Sequence, residues 1–317
     1  MTMDSSNACE PLTLELYHLS PGHLVRRLHQ VAIGIFLEET EGKITPVQFA
    51  TLVAVAERPR TDIKGLSVLA ALDRSTLSEV VARLSASHFV KCAVSREDRR
   101  ARVVNISPQG TRVLEDVTEG VGRAQDRILR PLSSSERRMF LGYLKRLVAS
   151  DRAPLSSDQN TQAPELPYQN HPGHLIRRFR QICDGIFLQL ADPFGITPVQ
   201  FSTLAIARNH PEVDNTRLAS LAALDQATMS VILRRLAAKD WIDIRTNDAD
   251  RRAKSLRVTP GAKRLLDKMQ PVVIAIEART MRPLTRMEAA NFVAMLLEIL
   301  ECNNENSRAP YRDLSSL

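Results

Sequence analysis

Arg74, Ser75, Thr76, Ser78 and Arg83 fall on one side of the run LDRSTLSEVVARL, whose other side is apolar at Leu77, Val80, Val81 and Leu84. In LDQATMSVILRRL, Gln226, Thr228, Ser230 and Arg234 stand in the same way opposite Met229, Ile232, Leu233 and Leu236. The i, i+3, i+4, i+7 spacing predicts an amphipathic helix in each place. Short hydroxyl and amide side chains beside guanidiniums suit base edges and phosphates. A solvated helix face is the alternative, and the segment after each run tips the balance. SREDRRA carries Arg96, Asp98, Arg99 and Arg100, and NDADRRA carries Asp250, Arg251 and Arg252. Each lies between alternating or β-branched stretches, 90–94 and 102–106 or 242–245 and 255–258, which predicts a basic hairpin with the arginines at its tip. Such an arginine can enter a minor groove and read its width and potential. An aspartate beside it weakens attraction for phosphate, so Asp98 and Asp250 are expected to orient Arg100 and Arg252 through charge-assisted hydrogen bonds.

A second pair of clusters has different chemistry. His23, Arg26 and Arg27 sit in PGHLVRRLHQVAIGIFL, and His174, Arg177 and Arg178 in PGHLIRRFRQICDGIFL. Donors and positive charge at the head of an apolar helix would suit a carboxylate on an aromatic ring. The alternative is that these arginines are solvated or pair with acidic neighbours. Cys183, with Ala32 at its counterpart position, is either a buried structural residue or a reactive thiol. Cys9, Cys92, Cys183 and Cys302 form no C-x-x-C pair, and the seven histidines form no H-x-x-x-H pair. No phosphate-binding loop, G-x-S-x-G elbow or dinucleotide fingerprint is present. Neither a cofactor nor a metal is expected, and no catalytic constellation points to an enzyme.

These residues need elements to hold them, and the chain spells the elements out twice. The two PGHL segments are identical at 11 of 17 positions, and their apolar residues step by three or four, so each is a first helix. ITPVQF at Ile44 and at Ile196 starts a second helix, with a Thr cap, Pro at the first helical position and a T-x-x-Q capping box. From each ITPVQF to each DRRA the interval is 54 residues. Short helices at 63–69 and 216–222 lead into the two amphipathic runs, which Asp73 and Asp225 are placed to cap. After each hairpin, Ser107-Pro108 and Thr259-Pro260 open long helices at 109–129 and 261–279. Final helices begin at Ser133 and Thr285 with a Glu three residues on. The expected order is four helices, two strands and two helices, twice.

At 317 residues with 44% apolar and 4% aromatic content, the chain has room for two helix-rich domains. Its formal charge of +7 suggests a polyanionic partner. With no apolar run of about 18 residues and no signal-peptide layout, no membrane association is expected and a cytoplasmic location is. The domains read as an arm at 1–19, a first domain at 20–149, a linker at 150–170 rich in Ser, Asp, Gln, Asn and Pro, a second domain at 171–301 and a tail at 302–317.

Three helices, a recognition helix and a basic hairpin describe a winged helix-turn-helix. Both halves resemble the multiple antibiotic resistance regulator (MarR) family, in the L-D-x-[SA]-T start of the recognition helix and the D-R-R-A wing before [ST]-P and a long helix. The resemblance covers about residues 20–149 and 171–301. It implies a transcriptional regulator of double-stranded DNA, working as a dimer through its first and last helices, with an effector pocket between helical interface and winged lobe. The PGHL-x-RR head resembles members that control breakdown of aromatic acids, which implies a small aromatic carboxylate as effector. The expected fold class is mainly α with small hairpin wings, as two fused MarR-like repeats in an intrachain pseudo-dimer. The expected partner is an operator that is an imperfect palindrome, with further pairing of chains left open. The expected action is repression relieved by the effector. The alternatives are a helical scaffold with degenerate DNA readout and, because Cys183 sits where peroxide-sensing members carry a cysteine, a thiol-based redox sensor.

Overall fold

The computed structural model describes residues 20–94, 102–150, 166–246 apart from 212 and 223, and 254–306. Along the first half run α1 (Pro21–Glu39), α2 (Pro46–Glu57), β1 (Thr61–Asp62), α3 (Ile63–Ala70), α4 (Arg74–Ala86), β2 (Val90–Val94), β3 (Arg102–Ile106), α5 (Pro108–Ile128) and α6 (Ser134–Ala149). A 3₁₀ turn at Pro167–Asn170 precedes the second half. There follow α7 (Pro172–Ala191), α8 (Pro198–Asn209), β4 (Val213–Asp214), α9 (Asn215–Leu221), α10 (Gln226–Ala238), β5 (Ile242–Thr246), β6 (Lys254–Val258), α11 (Pro260–Met281) and α12 (Arg286–Cys302). The chain is mostly helical, with two small antiparallel sheets. No helix among the described residues is long and apolar enough to cross a membrane.

Local chemistry sets the helix starts. Thr45 and Thr197 accept from the backbone N–H of Gln48 and Gln200, whose side chains return the bond, so both capping boxes form. Ser133 with Glu136 and Thr285 with Glu288 do the same for α6 and α12. Asp73 and Asp225 cap α4 and α10, each accepting a backbone N–H at 2.8 Å. The hairpin strands pair in register, Val90 with Ile106 and Ile242 with Val258. Each hairpin also gains a third strand that the expected order lacked. Thr61–Asp62 pairs with β3 and Val213–Asp214 with β6. Asp62 and Asp214 then turn the chain into the next helix by capping it, which starts α9 one residue earlier than expected.

The described residues pack as two compact units, and these do not follow the sequence halves. The first unit is Leu28–Phe179, and the second combines the described residues of Met1–Arg27 with those of Arg180–Leu317. Each therefore holds one winged lobe and the head of the first helix of the other repeat. In the first unit Leu52, Leu66, Leu77, Leu84 and Val104 are fully buried, and in the second Leu204, Leu218, Met229 and Leu236 are. The last part of the stretch read as linker belongs to the first core, where Leu166 and Tyr168 are buried. Leu166 and Tyr168 are large apolar side chains at the end of a mostly polar stretch, and their burial offsets part of the cost of ordering it.

Candidate nucleic-acid interface and effector pockets

On α4 the apolar stripe faces the core, while Arg74, Ser75, Ser78 and Arg83 are exposed and Thr76 is half-buried. On α10 Gln226, Thr228, Ser230 and Arg234 are all exposed. Several of these groups already have intramolecular work. The hydroxyls of Ser75 and Thr76 donate to the Asp73 carboxylate at 2.5 and 2.6 Å, and that of Thr228 to Asp225 at 2.8 Å. These bonds hold the Asp73 carboxyl well below the usual carboxylate range, Ser75 contributing most. Ser78 and Ser230 donate to the carbonyls of Arg74 and Gln226 one turn back. The hydroxyls therefore face outward as acceptors, with their protons spent on the helix. Gln226 Nε2 reaches Thr216 Oγ1 at 3.0 Å, and Arg83 lies 3.7 Å from Glu79 across one turn of exposed helix. Val231, at the position that Glu79 holds in the first repeat, is an exposed apolar side chain beside these groups on α10. Arg96, Asp98, Arg99, Arg100, Asp250, Arg251 and Arg252 lie outside the described residues.

The first-helix clusters divide into residues that line cavities and residues that do not. His23 and Arg26 line a cleft of about 690 Å³, counting its open mouth, in the second unit. His174 and Arg177 line one of about 510 Å³ in the first. Arg27 is buried and Arg178 half-buried, and neither is among the residues lining these two clefts. One residue along a helix is a turn of about 100°, so both arginines of a pair cannot face one cavity. Arg27 and Arg178 therefore stand on another side of their helices from the arginines that line these two clefts.

Arg26 and Arg177 do matching work in their units. Arg177 donates through Nη1 to the Ala71 carbonyl and through Nη2 to that of Ala70, both at 2.7 Å. Arg26 Nη1 donates to the Ala222 carbonyl at 2.8 Å. Each guanidinium thus caps the C-terminal end of the short helix that leads into the recognition helix, where unsatisfied carbonyls carry partial negative charge. His174 Nδ1 lies 3.2 Å from Arg177 Nη2, and His23 Nδ1 lies 3.1 Å from Arg26 Nη2. Burial first, then the charges of Arg177 and Arg178, push the His174 imidazole far below its usual range, so it stays neutral and can accept from the guanidinium. The Tyr168 phenol donates to the Leu69 carbonyl at 2.6 Å and stacks edge-on against His174, and burial raises its pKa to about 12.

Sequence reasoning missed Tyr168, His171, Gln125 and Glu277 as cleft residues. A signal for the first was available, since a Tyr stands four residues before both PGHL motifs, at Tyr17 and Tyr168. Cys183 is buried against the second-unit cleft, and burial pushes its thiol pKa up, which disfavours the thiolate a redox sensor needs. Among the described residues no group of three or more His, Cys, Asp or Glu is arranged to hold a metal ion.

The model of the MarR family matches residues 196–254. The HTH-type transcriptional repressor NicR of Pseudomonas putida is 30% identical over 156 residues, which are 47% of this chain and 98% of NicR. A putative transcriptional regulatory protein for the hcr operon of Thauera aromatica is 31% identical over 144 residues, 43% of this chain and 86% of that protein. Among solved structures, the PcaV transcriptional regulator of Streptomyces coelicolor in complex with its natural ligand is 29% identical. That match covers 42% of this chain and 94% of PcaV, with a TM-score of 0.40.

Proposed function

The chain belongs to the MarR family, and from that premise we propose that it is a sequence-specific repressor of transcription, released from its operator by a small aromatic carboxylate. One observation carries the reading. In each unit a cleft-lining arginine, Arg26 or Arg177, holds the carbonyl end of the helix that feeds the recognition helix. A carboxylate entering the cleft offers the guanidinium a full negative charge and a bidentate partner in place of neutral carbonyls. Drawn toward the ligand, the arginine loosens its cap, and the loop before Asp73 or Asp225 gains freedom. The recognition helix then loses the fixed entry that groove binding requires. Effector and DNA therefore prefer different states, and each weakens the other by the same factor.

On the DNA, Arg74 and Arg234 are suited to bidentate contact with guanine, Val231 to a thymine methyl, and the serines to accepting from base or water. Arg100 and Arg252 are proposed to serve the minor groove. One chain does the work of a family dimer on two unequal half-sites. Two facts support this: the internal repeat, and the fit of nearly the whole of NicR into under half of this chain. Repression itself is supported by the description of NicR as a repressor.

The test is operator binding followed by fluorescence anisotropy while a panel of hydroxy- and amino-substituted benzoates is titrated in. An acid on the panel is expected to release wild-type protein. Arg177→Lys keeps the charge but loses the fork, and it should raise the concentration needed for release by about tenfold. Absence of release by every acid, or an unchanged release curve in both Arg26→Lys and Arg177→Lys, overturns the effector reading.

A further inference from the structure

The two clefts match in their arginines but not in their charge. The long helices α5 and α11 begin at equivalent prolines, Pro108 and Pro260, so position 17 beyond each is Gln125 in one cleft and Glu277 in the other. Gln125 is engaged: its Oε1 accepts from the Gly173 N–H at 2.9 Å. The Glu277 carboxyl has no hydrogen-bond or ion-pair partner among the described residues, and it is half-buried beside Val273, Ile276 and Phe187. The other ionisable groups on that cleft are His23 and Arg26 from α1 and Cys183 and Asp184 from α7, and α8 and α11 bring no other charge. Arg26 is held by Ala222 and His23, and Asp184 is paired with Arg180. Glu277 is thus left as an unanswered acceptor in an apolar wall, and burial raises its carboxyl to about 7. Lone buried carboxylates are costly, and a ligand that supplies the missing donor removes that cost.

We propose that the Glu277 cleft is a distinct effector site, selective for an acid that also carries an ammonium group, with Arg26 taking the ligand's carboxylate and Glu277 its cation. The Gln125 cleft takes the uncharged analogue, because Arg177 is the cation there, His171 and His174 are imidazoles that burial keeps from charging, and no carboxylate lines it. This assignment rests on the effector reading above. It makes the protein a sensor of two ligand chemistries through one DNA-binding chain. Because the ionised form of Glu277 binds the cation, ligand affinity in this cleft is present above pH 7, falls as pH drops through it, and binding releases a proton.

The experiment is calorimetry on the full chain with 4-(aminomethyl)benzoate and its uncharged isostere 4-ethylbenzoate, between pH 6 and 8. The ammonium acid is expected to bind one site per chain, tighter at pH 8 than at pH 6. Glu277→Gln should weaken it by about tenfold or more and flatten the pH profile. Gln125→Glu, which puts a carboxylate into the other cleft, should raise its stoichiometry from one site to two. If 4-ethylbenzoate binds while the ammonium acid binds no tighter at pH 8 than at pH 6, or Glu277→Gln and Gln125→Glu leave its isotherm unchanged, the charge selectivity is wrong and the effector reading survives. If neither acid produces heat, the charge selectivity falls, and the benzoate panel above decides the effector reading separately.

Discussion

At the scale of single residues, the capping aspartates connect fold to function most directly. Asp73 and Asp225 each satisfy an otherwise orphaned N–H at the start of a recognition helix, and they also hold the hydroxyls of Ser75, Thr76 and Thr228. Replacing either by alanine should lower stability and loosen the turn that leads into the proposed DNA-reading helix. Urea unfolding of Asp73→Ala and Asp225→Ala measures the first effect and operator affinity the second. Midpoints equal to wild type would show the caps to be idle. These caps were legible from sequence, because an aspartate just before an apolar-periodic run has one strong local use. The partition of His23, Arg26 and Arg27 was not. Adjacent arginines look alike in sequence, and only the helix phase against its neighbours decides which one meets a cavity. Glu277 was equally hidden, as one acid on a helix that also carries exposed charge. Its meaning emerges only beside Gln125, once both are known to line clefts.

At the scale of elements, the end of α1 is fastened to α5 by an acidic clamp within the first unit. Glu39 accepts from Arg123 Nε at 3.0 Å and Arg127 Nη1 at 2.9 Å, and Arg127 also reaches Glu38 at 3.1 Å. The Arg123 bond first and the Arg127 bond next lower the Glu39 carboxyl below 4.5. A folded-state pKa below the unfolded one means the contribution is complete above about 4.5 and disappears as pH falls through the lower, folded value. Urea midpoints measured from pH 7 down to 3 should therefore show a shallower acid decline in Glu39→Gln than in wild type, together with a lower plateau at neutral pH. Parallel curves would mean the clamp adds nothing beyond solvated charge. The long helices, their boxes and the hairpin strands were readable because periodicity and caps agree over many residues. The strands Thr61–Asp62 and Val213–Asp214 were not, since two residues carry no period and pair only because β3 and β6 present an open edge. The Pro167–Asn170 turn hid in a polar stretch whose composition reads as linker, although Tyr168 there is buried and bonded to Leu69.

At the scale of the whole molecule, one chain is proposed to stand in for a dimer with two dissimilar reading heads. Arg74 is matched by Gln226, Ser75 by Ala227, Glu79 by Val231 and Ala82 by Arg234, so under the proposed function the outward faces of α4 and α10 would ask for different bases. The repeat was plain in sequence, while its packing into units that exchange the heads of their first helices was not, because pattern within a helix does not name its neighbours. The most direct measurement is selection of binding sites from random duplexes, followed by determination of the number of chains on each recovered site. The account predicts imperfect palindromes with half-sites about 10 bp apart and one chain per duplex, with affinity falling steeply as salt rises. No enrichment over the random pool, or perfect palindromes that each require two chains, would contradict it.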